Sequence, residues 1–125
     1  MQKKLIALPY IYPVCPLNFN HTKMFVVGDI LSRYYRSNKY KVIFPVASHY
    51  TGNTAQTAAD AFRRIYSKQD NAKDASLLHL YKNIYQTPEK TLQNFTDANT
   101  LLNYYTQEIL WELHSLGVSC DYEHS

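Results

Sequence analysis

The sequence predicts an α/β fold: a parallel sheet with flanking helices at the front and a helix-rich C-terminal part. Three observations predict it. Two short apolar runs, 5–8 and 42–46, have the length of buried strands. Between them Met24, Phe25, Val27, Ile30, Leu31, Tyr34 and Tyr35 recur at steps of three and four, the period of a helix with one buried face. Beyond residue 53 the apolar residues keep that helical spacing as far as Ser115. Strand, crossover helix, strand is the parallel βαβ unit, whose ligands sit at the C-terminal ends of the strands. The loops 9–20 and 47–53 are expected at that edge.

Each element has a local reason. Pro9 stops the first strand, and turn formers make 10–20 a loop. The first helix runs from His21 to near Asn38, and Pro45 places the end of the second strand. A helix over 54–68 carries Ala55, Ala58, Ala59, Phe62 and Ile65 on one stripe, 70–74 is a polar break, and 75–85 is helical again. Thr87-Pro88-Glu89 reads as a helix start: a capping hydroxyl, proline at the first position and a carboxylate at the positive end. The last long helix begins at Asp97 or Asn99 and ends at Ser115, with Gly117 where a C-terminal cap belongs and 118–122 extended.

At 125 residues and 14.6 kDa the chain is one domain or a piece of one. Its 46% hydrophobic and 18% charged residues describe a folding chain. A net charge of +3 is too small for a dedicated nucleic-acid binder. Cys15 and Cys120 lack the spacing and number for structural zinc and fit a reducing compartment. Pro9, Pro13 and Pro16 cut the apolar start short of a signal peptide or membrane span, so a soluble cytoplasmic protein with no membrane partner is expected. Twelve tyrosines suit half-buried shells and interfaces better than a base-stacking platform.

The loop feeding the first helix, 16–21, is the richest in chemistry. Free amides and a positive dipole at a helix start make a phosphate seat, and Asn18 and His21 can donate hydrogen bonds there. The same residues also cap helices for structural reasons, and the two readings stand side by side. Arg33, Arg36, Lys39 and Lys41 with Tyr34, Tyr35 and Tyr40 form a basic-aromatic cluster. Stacking plus charge holds single-stranded RNA, but cations gather at helix C-termini in any case, and a solvated helix end is the favoured reading. His79, His114 and His124 lack the converging partners a metal needs, and no protein-bound metal is expected.

The stretch 8–60 resembles the opening of the class I aminoacyl-tRNA synthetase catalytic domain, in its leucine branch. The resemblance rests on the aromatic-proline strand exit (Pro9, Tyr10, Tyr12, Pro13), the Pro16-Leu17 pair before a HIGH-like tetrapeptide, and Gly28-Asp29 followed by Arg33-Tyr34. It continues into 42–46 and His49-Tyr50-Thr51-Gly52, similar to the HxTG turn of archaeal and eukaryotic leucyl enzymes. Trp111 and residues 116–122 resemble the segment that precedes the inserted editing domain. The resemblance implies a partial Rossmann-like (HUP-type) sheet, with 1–125 a single N-terminal part of that catalytic domain: 1–53 its βαβ nucleotide-binding unit and 54–125 mostly helical.

It also implies leucine activation with ATP, Mg as the nucleotide's usual counterion, and transfer to tRNA. Pro16, Asn18, Asn20 and His21 match the ATP-binding turn, with Asn18 and His21 at its catalytic positions; Tyr10, Tyr12 and His49 match the amino-acid pocket. His49 is equally well read as a polar turn residue. The tetrapeptide here is Asn18-Phe19-Asn20-His21, and only the final histidine is kept. Asn18 offers one neutral donor for the missing histidine, whereas Asn20 sets a Cβ where the family has glycine beside the adenine. Thr54 replaces the proline usual after the HxTG turn. The family's second ATP motif, the KMSKS loop, has no counterpart in the sequence. Two expectations follow: a front fragment that activates leucine beside a complementary synthetase chain and is inactive alone, or a synthetase-derived binding or scaffolding module that has lost its ATP site. An uncovered sheet edge predicts self-association.

Overall fold

The computed structural model describes residues 1–122; His124, one of the histidines considered above for metal binding, lies outside them. The described chain is mixed α/β and forms two compact units, 1–12 with 17–49 and 106–122, and 13–16 with 50–105.

In the first unit β1 (Lys3–Leu5) and β2 (Lys41–Ile43) pair in parallel, with Lys3 beside Lys41 and Leu5 beside Ile43. Helix α1 (Phe19–Ser37) connects them, so strand, helix and parallel strand follow in the expected order. The strands begin earlier than the apolar runs suggest. Ile6 still donates to the Ile43 carbonyl at 2.8 Å, but the Phe44 amide turns the other way, to the Asp121 carboxylate at 2.7 Å. From Phe44 onward β2 serves a neighbour on its far side: Asp121 donates back to the Phe44 carbonyl, and Pro45 bridges Asp121 in parallel. The extended reading of 118–122 therefore holds around one bridge.

Phe25, Phe44, Val46, Ile109, Leu113 and Val118 form the core of this unit. Gly28 is where α1 comes down on it: a Cβ there would stand 2.7 Å from Phe44 Cζ and 3.3 Å from Leu8 Cδ1. Since Phe44 is fully buried its ring has nowhere to retreat. Gly28→Ala is therefore expected to cost about 1–3 kcal/mol by overpacking despite alanine's better helix propensity, measured as a lower denaturation midpoint at unchanged m-value.

Asp29 ties α1 to the chain after the last helix. Its Oδ1 accepts from the Ser119 amide at 2.7 Å and the Ser119 hydroxyl at 2.5 Å, and its Oδ2 accepts from Arg33 Nε at 2.8 Å. Arg33 also donates to the Gly117 carbonyl, and Arg36 to Ser119 Oγ and its carbonyl. Burial pushes the Asp29 carboxyl up, but the bonds from Ser119 and Arg33 outweigh it and hold the carboxyl below its ordinary value.

The second unit holds α2 (Thr54–Tyr66), α3 (Ala72–His79) running into a π-turn (Leu80–Ile84), α4 (Glu89–Leu92), a 3-10 turn (Gln93–Thr96) and the start of α5 (Ala98–Ser115). α3 starts three residues before the expected 75 because Asn71 and Asp74 form a reciprocal capping box, which turns most of the polar break into the first helical turn. Asp74, only 3% exposed, also takes two bonds from Arg64, at 2.8 and 2.7 Å, and these bonds hold its carboxyl low. Thr87 is not the cap its sequence suggests. It is buried with its hydroxyl 2.8 Å from that of Tyr105, and the Pro88 carbonyl takes the first α4 amides instead. Asp97 caps α5 through Thr100, and Gly117, at φ +75, closes the helix as expected, its amide on the His114 carbonyl.

Candidate functional site

Of the residues singled out in the sequence, Asn18, Asn20 and His21 form one local cluster in the first unit and Tyr12 and His49 a second, while Pro16 belongs to the second unit. At the start of α1, Asn18 is the N-cap: its backbone is extended, and its Oδ1 accepts from the His21 amide at 2.9 Å. The structural reading of Asn18 is thus realised, which leaves the side-chain Nδ2 as its donor. The Leu17 amide is taken by Glu112 Oε2 at 2.9 Å. The amides of Phe19 and Asn20 have no hydrogen-bond partner among the described residues, and both residues are exposed. His21 is half-buried, and its Nδ1 is buried with no hydrogen-bond partner. Pro16 lies in the bend at 14–16 and is half-buried.

The second cluster is the strand exit and the turn beside it. Ile11 donates to the Ala47 carbonyl and accepts from the His49 amide, at 3.2 and 2.9 Å, so 10–12 and 47–49 run side by side. That pairing stacks the Tyr12 ring on His49, centroids 4.9 Å apart at 13°. Tyr10 is 66% exposed. The structure therefore joins Tyr12 to His49 and leaves Tyr10 out of the pair.

Glu112 is the residue that sequence reasoning missed. It lies ninety-five residues from Leu17, and no local pattern announces the contact. Burial raises its carboxyl pKa, the Leu17 amide opposes that, and Glu108 adds to it. With Leu17, Thr22, Ser115, Leu116 and a 67% exposed Trp111 it lines a cleft of about 350 Å³ beside the α1 start. The basic-aromatic cluster is in part internally bonded: Arg33 and Arg36 are engaged by 117–119, and Lys4 lies over the Tyr35 and Tyr40 rings at 5.1 and 5.3 Å. Among the described residues no group of three or more His, Cys, Asp or Glu is placed to hold a metal ion, and no helix is long and apolar enough to cross a membrane.

No protein-family model matches the chain. Leucine-tRNA ligase 2 of Sulfolobus acidocaldarius is 36% identical over 118 residues, 94% of this chain and 11% of the ligase. Leucine-tRNA ligase 2 of Metallosphaera sedula is 33% identical over 125 residues, 97% of this chain and 12% of the ligase. This chain is a homologue of leucine-tRNA ligases. The leucine-tRNA ligase of Methanopyrus kandleri, at 28% over 117 residues, repeats the proportion. The homology thus spans nearly the whole chain but about a ninth of each ligase.

Proposed function

We propose that this chain supplies the front, nucleotide-facing part of a leucine-tRNA ligase-type catalytic domain, Rossmann-like in its sheet, and acts with a complementary synthetase chain rather than alone. The observation that carries this reading is similarity to leucine-tRNA ligases along nearly the whole chain. The geometry at the start of α1 is compatible with it. The Phe19 and Asn20 amides and the Asn18 Nδ2 are donors for ATP phosphates at the positive end of a nineteen-residue helix, with His21 in the same first turn. The stacked Tyr12–His49 pair, with Tyr10 beside it in sequence, is the candidate wall for leucine. Mg would come with the nucleotide, and tRNA would accept the activated leucine. No lysine or arginine lies within 16–22, so the phosphoryl centre needs its cationic stabilisation from the complementary chain.

The test is leucine-dependent exchange of pyrophosphate into ATP, with the remainder of the Sulfolobus acidocaldarius ligase supplied as a separate chain. Exchange above that of either chain alone is the expected result; none with leucine or any other amino acid ends the catalytic reading. Asn20→Gly is expected to raise ATP affinity by removing the Cβ from the adenine side. Asn18→His added to it tightens binding further, by roughly 1.5–3 kcal/mol for a bond to a charged group, against about 1 kcal/mol of lost helix capping.

One observation favours the alternative, a synthetase-derived module without an ATP site. The Leu17 amide is already held by the Glu112 carboxylate, an anion of this chain beside the phosphate seat. Calorimetry with ATP and a leucyl-adenylate analogue separates the two readings. If the double variant Asn18→His, Asn20→Gly still binds no ATP while Glu112→Gln does, the carboxylate and not the asparagines silences the turn.

A further inference from the structure

We propose that the second unit binds a small uncharged molecule, a single aromatic ring bearing one hydroxyl, in the cavity lined by the start of α2 and the π-turn. The cavity measures about 400 Å³, within the range of small-ligand pockets, and every residue that lines it belongs to the second unit. Its lining reaches into the core of that unit: Ala58 and Tyr81 are only 3% and 5% exposed. The π-turn shapes one wall. There the Tyr85 amide donates to the Leu80 carbonyl at 2.9 Å, one residue further back than in an α-helix. Widened turns of this kind are rare and gather at functional sites. Leu80, Tyr81 and Tyr85 all line the cavity, with Leu77 three residues before them.

The lining sets the chemistry of the occupant. It contains no Lys, Arg, His, Asp or Glu, so a charged ligand would leave water without meeting a counter-charge. Leucine, a zwitterion at neutral pH, finds no ion partner there. The two phenol hydroxyls are already spent within the chain. Tyr81 donates to the Val14 carbonyl at 2.7 Å, and Tyr85 is hydrogen-bonded to the Cys15 side chain, so both rings meet a ligand as apolar surface. They stand edge to face, with centroids 5.1 Å apart at 74°, an arrangement that a third ring extends. The remaining polar groups come from the start of α2. The Asn53 side chain makes no capping bond, and the hydroxyls of Thr54 and Thr57 join it in the lining. An amide and two hydroxyls both donate and accept, which matches a hydroxyl on the ligand.

Calorimetric titration of the whole chain with benzyl alcohol is expected to show one saturable site. Benzoate and benzylamine, the same ring carrying a charge, should bind weaker by about tenfold or more. Cys15 reports the location, because it lines the cavity and is half-buried, whereas Cys120 is buried in the first unit. Saturating benzyl alcohol should slow alkylation of Cys15 by iodoacetamide several-fold, read by peptide mass spectrometry, and leave the rate at Cys120 unchanged. Thr57→Val and Asn53→Ala, both at exposed positions, should each weaken benzyl alcohol by about three- to tenfold, the loss of one neutral hydrogen bond. Thermal unfolding checks that each variant is folded, and either one alone decides the point. The proposal is overturned by an absence of saturable binding, by benzoate or benzylamine binding as tightly, by Cys15 alkylation that saturation leaves unchanged, or by an affinity that neither folded variant lowers.

Discussion

Phe95→Ala is expected to lower the stability of the chain by about 3–5 kcal/mol, the usual cost of emptying a buried phenylalanine site. Phe95 sits in the 3-10 turn at zero exposure, and its ring meets Phe62, Tyr81, Tyr104 and Tyr105 with centroids 5.5 to 6.2 Å apart. Large rings held edge-on or tilted against other large rings cannot collapse into the space, so the cavity term stays near its maximum. A domain of this size has roughly 5–15 kcal/mol in all. Denaturant unfolding should show the loss as a lower midpoint, while Phe95→Leu should recover most of it. A loss under 1 kcal/mol for the alanine would mean that the ring cluster is not packed as described.

Acid should open the first unit at Asp29, and Asp29→Ala should mimic it. The side chain is 15% exposed and accepts from Ser119 twice and from Arg33. Removing a charged acceptor and stranding its donors costs roughly 1.5–3 kcal/mol. Because the folded carboxyl titrates below its unfolded value, the stability it contributes is complete above the unfolded aspartate pKa of about 3.9 and is lost as pH falls through the folded one. Asp74, held low by Arg64, and Asp97, held low by Thr100, act in the same window with the same sign. Thermal melts between pH 7 and pH 3 should therefore fall steeply only below about pH 4. The Asp29→Ala chain should start lower and fall less. Equal slopes for both proteins would remove Asp29 from the acid response.

The start of α1 and the Tyr12–His49 turn were legible as functional candidates because they combine a local structural signal with residues that carry chemistry. Asn18 does cap the helix, and the strand exit does run beside the HxTG-like turn. What could not be read was which donors remain open there. The Leu17 amide is closed by Glu112 from the far end of the chain, a contact with no sequence period to reveal it.

The sequence by itself determined the helices, the parallel strand order and the punctuation at Asn38 and Gly117, since these rest on side-chain spacing and backbone preferences within a few residues. Tertiary structure decided the rest. It set where the strands pair, at 3–5 with 41–43, and gave the Phe44 amide, which faces the other side of the strand, a partner in Asp121. It drew Thr87 away from capping α4, because a buried hydroxyl needs a partner and Tyr105 offers one. It set Arg33 and Arg36 on 117–119, binding the basic helix end inward where composition suggested only a solvated surface. Thr87 had a local role and a distant partner, and burial selected the distant one, whereas Arg33 keeps its local bond to Asp29 and adds the distant one to Gly117.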